Sequence, residues 1–146
     1  MYYHGTAAAS CWEGSGEEEL APFVSLPEAM LDELLGRIGL TKESVLLDLG
    51  CGDGVVMRAA LGHGIRKAVG IELKPALCET ARGLCETAGY SPEAALVVQG
   101  DVLELLKGGN QPEQDRLDVH AVTHVLAYLS PFAMKKLGPI LMSAAF

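Results

Sequence analysis

The sequence predicts an α/β fold, a parallel sheet of about four strands with helices on both faces, and three observations carry that prediction. Short apolar runs bounded by turn residues alternate with segments of helical periodicity, the pattern of βαβ units. A glycine-rich turn, Asp48-Leu49-Gly50-Cys51-Gly52-Asp53-Gly54, follows the first of these runs and opens a helix. The 146 residues, 49% of them hydrophobic, suffice for one core and one domain.

Each element follows in turn. Residues 1–20 carry small residues, glycines and the acidic run Glu17-Glu18-Glu19, and are expected to form a flexible arm. Pro27 sits at a plausible first helical position, and Met30, Leu31, Leu34, Leu35 and Ile38 recur at helical spacing as far as Gly39. Residues 44–50 read as a buried parallel strand, because an apolar run bounded by turn residues needs both faces covered. The helix after the glycine turn spans 55–63 and closes at Gly64. Residues 67–73 are the second strand, 75–88 a helix stopped by Gly89, 95–99 the third strand and 102–107 a short helical turn. Residues 108–116, rich in Gly, Asn, Gln and Pro, read as a surface loop. Residues 117–127 read as a fourth strand, followed by a helix from Pro131. The domain is expected over 21–146, with no internal repeat.

The net charge of -8 argues against a nucleic-acid footprint, which needs clustered Lys and Arg, and suits small cationic ligands or basic protein substrates, with plain solubility as the competing reading. No apolar run reaches the ~20 residues of a membrane-spanning helix. The amino-terminal residues fit neither a signal peptide nor an Arg-rich transit peptide. Cys11, Cys51, Cys78 and Cys85 show neither a CxxC pair nor metal-ligand spacing. Buried free thiols and a reducing, intracellular compartment are the expectation.

The glycine turn carries the chemistry. In a parallel α/β sheet ligands bind beyond the carboxyl ends of the strands, and glycines let ligand atoms approach the backbone. A nicotinamide fingerprint, G-x-G-x-x-G counted from Gly50, requires glycine at position 55, which is Val55. The glycines stand instead at alternate positions, Gly50, Gly52 and Gly54, preceded by Asp48. This resembles the E/D-x-G-x-G-x-G signature of the class I, Rossmann-like methyltransferases, which bind S-adenosylmethionine. The resemblance implies the strand order 3-2-1-4, the first four strands of a seven-strand fold. The last three have no counterpart in this sequence, so a fragment, or a chain pairing with a partner along the exposed edge of strand four, is the expectation.

The resemblance also assigns roles. Asp48 would help hold the ligand's ammonium group. Glu72, near the end of the second strand, would accept from both ribose hydroxyls. Asp101 would accept from the adenine amine, with Val102 as an apolar wall, and Cys51 and Leu73 complete the binding set. For any single acid the competing reading is a solvated loop carboxylate; three at the ends of three successive strands, beside the glycines, favour a site.

The segments Ala21-Pro22-Phe23-Val24-Ser25-Leu26-Pro27, 46–54, Tyr128-Leu129-Ser130-Pro131 and Lys136-Leu137-Gly138-Pro139-Ile140-Leu141 further resemble a group of small protein-lysine methyltransferases, some of them mitochondrial. That similarity implies a protein lysine amine as methyl acceptor and places Phe23 to Pro27 over the ligand's methionine end; an apolar staple for the following helix is the competing reading. A membrane-anchoring segment that mitochondrial relatives carry is not found here, so cytoplasm and mitochondrion stay undivided. His120 and His124 share parity on the expected fourth strand, with His124 approaching its carboxyl end as a candidate proton acceptor. Tyr128 is a candidate for a substrate channel. For both, packing is the competing reading. Two alternatives stand beside the enzyme: a non-catalytic, methyltransferase-like binding module, and a nicotinamide oxidoreductase, which the glycine spacing disfavours.

Overall fold

The computed structural model describes residues 26–107 and 117–143. The expected arm, the Phe23 cover, Cys11 and the 108–116 loop lie outside the described residues. In chain order the elements are α1 (Glu28–Arg37), β1 (Val45–Leu49), α2 (Val55–Gly62), β2 (Lys67–Glu72), α3 (Pro75–Thr87), β3 (Ala95–Gln99), α4 (Val102–Leu106), a 3₁₀ turn (Val119–Ala121), β4 (His124–Ala127) and α5 (Pro131–Ser143). The four strands form one sheet in the order β3-β2-β1-β4, every pair parallel.

The strand period of two splits the core into two layers. Leu46, Ala68, Ala95 and Val97 face one side, where they pack with Leu31 and Leu35 of α1, Val56, Met57 and Ala60 of α2, and Cys78, Ala81 and Cys85 of α3. Val45, Leu47, Leu49, Val69, Ile71 and Val98 face the other, under Leu105 of α4 and Leu137 of α5. All five residues of β1 are buried, as a strand covered on both faces and paired on both edges must be.

The helix ends obey local chemistry. Pro75 opens α3 with its ring-fixed φ, and Gly64 (φ 84°) and Gly89 (φ 88°) follow α2 and α3 in the left-handed region. Pro27 is the residue before α1 rather than its first helical position, its extended backbone (ψ 135°) leading into Glu28.

The fourth strand is shorter than the sequence suggests. Residues 117–122 do not pair; Asp118 accepts from the His120 backbone N–H at 3.1 Å and caps the 3₁₀ turn. Pairing waits until Thr123, whose hydroxyl accepts from Val45 N at 2.9 Å while its own N–H donates to Val45 O at 3.0 Å. His120 therefore sits in the turn and shares no strand face with His124. Among the described residues no helix is long and apolar enough to cross a membrane.

Candidate functional site

The glycine turn leaves β1 at its carboxyl end and is fixed from several directions. Gly50 N and Cys51 N both donate to Ile71 O, at 2.9 and 3.0 Å, which ties the turn to β2. Gly54 N donates to Cys51 O at 2.8 Å and closes the loop on itself. Gly50, Gly52 and Gly54 have φ of 80°, 55° and 76°, a region that costs other residues strain. At Gly50 a Cβ would also lie 2.7 Å from Leu129 Cδ2, and at Gly54 3.2 Å from Ala81 Cβ.

Glu72 ends β2 with its carboxylate turned towards this loop. Its Oε2 accepts from Gly52 N at 3.0 Å and its Oε1 from Lys74 N at 2.9 Å. The side chain thereby holds the turn from the neighbouring strand and keeps remaining lone pairs on both oxygens for a ligand donor. Asp48 lies on β1, opposite Gly70 of β2 in register, and is 2% exposed. Its Oδ2 is buried with no hydrogen-bond partner, an arrangement proteins seldom tolerate without a functional reason. Burial first, then the charges of Glu72 and Asp53, push the Asp48 carboxyl up to about 7. A cationic ligand group next to Asp48 would relieve both the missing partner and the crowded negative charge.

Asp101 follows β3 and caps α4, its Oδ1 accepting from Leu103 N at 2.7 Å. The preceding residue ties the end of β3 to the end of β2, Gly100 N donating to Glu72 O at 2.9 Å. Leu73 is 50% exposed just past β2, an apolar surface next to these acids, and Val102 is half-buried at the start of α4. Asp48, Gly50, Cys51, Gly52, Gly54, Glu72, Leu73, Asp101 and Val102 thus gather at the carboxyl ends of β1, β2 and β3, as the sequence leads one to expect. Cys51 is 4% exposed, and burial pushes its thiol far up, so it is an inert wall rather than a nucleophile.

His124 does not join them. It opens β4, paired with Leu46, three residues before the strand's carboxyl end. Its Nε2 lies 3.0 Å from Ile38 O and its Nδ1 2.8 Å from Thr123 Oγ1, so its ring ties β4 to the end of α1. This position corrects the expectation that His124 approaches the glycine end: β4 begins only at His124, which makes it the strand's first residue. Tyr128 does follow β4 at the glycine end, 51% exposed, with its neighbour Leu129 against Gly50.

Sequence reasoning missed Gly70. A Cβ there would lie 2.5 Å from both Cys51 Sγ and Met57 Sδ, so only glycine lets the turn and α2 settle on β2. An isolated glycine within an apolar strand was the available signal.

Comparison with known proteins agrees with this arrangement. A methyltransferase-domain family model matches residues 46–138. An RNA methyltransferase from Salinibacter ruber, solved in complex with S-adenosyl-L-homocysteine, is 34% identical, with a TM-score of 0.64 over 81% of this chain and 69% of that one. A protein-lysine N-methyltransferase from Saccharolobus islandicus is 29% identical over 119 residues, 81% of this chain and 71% of the relative. The ribosomal protein L11 methyltransferase of Escherichia coli is 33% identical over 107 residues, 73% of this chain but 31% of that protein's length. With the family model covering well over half of the sequence, the chain belongs to the methyltransferase-domain family, and its methyl donor is S-adenosylmethionine.

Proposed function

We propose that this chain transfers a methyl group from S-adenosylmethionine to a lysine amine of a protein, with the donor lying across the carboxyl ends of β1, β2 and β3. The observation that carries the donor pose is the buried, unpartnered Asp48 Oδ2 beside Glu72. In this pose Asp48 faces the donor's ammonium group, the free lone pairs of Glu72 accept from the ribose hydroxyls, and Asp101 with Leu73 and Val102 bounds the adenine. Gly50, Gly52 and Gly54 bring the backbone close enough to enclose the methionine portion.

S-adenosylmethionine supplies an already activated methyl group, so the protein's part is alignment and the exclusion of water. The densely bonded turn serves that alignment, because neither Gly52 nor Gly54 can shift without breaking a hydrogen bond to Glu72 or Cys51. Tyr128, exposed where β4 ends beside Gly50, is placed to line the acceptor's approach.

A lysine acceptor is supported by the similarity to the Saccharolobus protein-lysine enzyme and by the chain's net charge of -8, which favours a basic protein. One observation favours a second reading, an RNA acceptor: the Salinibacter RNA methyltransferase is similar over 69% of its own length. The test is transfer of isotope-labelled methyl groups to lysine-rich proteins and to total RNA, with products identified by mass spectrometry. Methyl-lysine is the expected product. Label in RNA alone overturns the lysine assignment, and label in neither favours a binding module without turnover.

A further inference from the structure

We infer that Arg58 is a positioning residue for the methyl donor, locking the glycine turn onto α2 from a place outside the signature itself. The inference rests on the donor site described above. Arg58 stands on the first turn of α2, and its backbone N–H donates to Gly54 O at 3.0 Å. Its side chain then folds back over the turn, where Nη1 donates to Asp53 O at 2.5 Å. The charge of the guanidinium also acts on Cys85 of α3, whose thiol burial raises and the guanidinium lowers.

One side chain therefore joins its own helix to the Gly52-Asp53-Gly54 bend, at the seam where Ala81 of α3 meets Gly54. The seam it covers is tight, since a Cβ on Gly54 would lie 3.2 Å from Ala81 Cβ and 3.5 Å from Arg58 Nη1. The opposite side of the bend is held by the Glu72 bond to Gly52 N. Glu72 and Arg58 thus grip adjacent residues from the two sides, an acceptor against an N–H and a donor against a C=O. Without the Arg58 bond, Asp53 O loses its side-chain partner and the bend gains freedom that donor binding must remove. A planar guanidinium suits the task because it holds its donors in fixed directions, which an ammonium on a flexible stem does not.

The test is calorimetric titration of S-adenosylmethionine and S-adenosylhomocysteine into the full chain, well below its melting temperature, for wild type, Arg58→Met and Arg58→Lys. We expect Arg58→Met to lose about tenfold in affinity for both ligands, the scale of one charge-assisted hydrogen bond. Arg58→Lys should recover part of that loss through a single bond to Asp53 O. A folded Arg58→Met chain with wild-type affinity for both ligands overturns the inference, even if its ligand-free melting temperature falls, since that is the signature of a purely structural side chain. Should Arg58→Met fail to fold, Arg58→Gln takes its place with the same two outcomes. A wild type that binds neither ligand overturns the donor reading itself; a wild type that binds while Arg58→Met binds equally well overturns this inference alone.

Discussion

β1 and β4 lie side by side in the sheet, paired from Leu46 with His124 to Leu49 with Ala127, yet they are built to different standards. Every residue of β1 is buried, whereas no residue of β4 is, and Val125 is 38% exposed. β1 has a strand on each edge; β4, among the described residues, has one on a single edge. The regions that follow differ likewise. The turn after β1 is tied to Ile71, Glu72 and Arg58, while Tyr128 and Phe132 after β4 are more than half exposed. The proposed donor side thus starts from the fully buried β1, and the proposed acceptor side is open surface. Donor recognition and acceptor choice can then vary separately, in keeping with similarity to enzymes whose acceptors are a protein lysine, a ribosomal protein and RNA.

The contrast can be broken by substitution. Leu47→Ala should lower stability by about 2–5 kcal/mol, because it empties a site of 0% exposure between the sheet and its covering helices. Val125→Ala, directly beside it in register, should cost no more than about 0.5 kcal/mol. Urea denaturation of the two variants checks this, and equal losses would mean that β4 is packed as firmly as β1.

A smaller effect sharpens the comparison at the site. Glu72→Ala should weaken S-adenosylmethionine binding by about 1–3 kcal/mol, since it removes the ribose acceptor and leaves Gly52 N and Lys74 N without theirs. Tyr128→Ala, on the acceptor side, should leave donor affinity within a factor of about two while lowering methyl transfer. Comparable losses of donor affinity in both variants would show that the two sides are not separable.

The acidity of Asp48 adds a pH signature. Its carboxyl titrates near 3.8 in the unfolded chain and about 7 in the folded one. Between those values the folded chain holds the extra proton, so ligand-free stability falls as pH rises through that window, by at most about 1.4 kcal/mol per unit. A donor ammonium prefers the ionised form, so donor affinity should rise over the same window and level off above about 7. Melting temperature and affinity measured from pH 5 to 8, for wild type and Asp48→Asn, check both slopes. Identical profiles for the two chains would remove Asp48 from the account.

What could be read from the sequence follows the same division. Buried parallel strands must be apolar runs, so β1, β2 and β3 stand out, and the alternate glycines after Asp48 mark the ligand turn. Residues 117–123 also look like strand, but the Asp118 cap turns the chain until Thr123 bonds to Val45 across the sheet, side-chain chemistry that periodicity does not register. His124 went astray for that reason, its ring bound to Ile38 O at the far end of the sheet. Gly70 and Arg58 were hidden differently. Their importance arises from what the fold brings against them, the sulfurs of Cys51 and Met57 in one case and the Asp53 carbonyl beside Gly54 in the other.

The central claim is that the glycine turn, with Asp48 and Glu72, selects a sulfonium donor over a dinucleotide. Calorimetric titration of the full chain with S-adenosylmethionine, S-adenosylhomocysteine and NAD tests it most directly. Saturable one-to-one binding of the first two and no heat from NAD is the predicted result; a folded chain that binds NAD, or that binds neither of the first two, would contradict it.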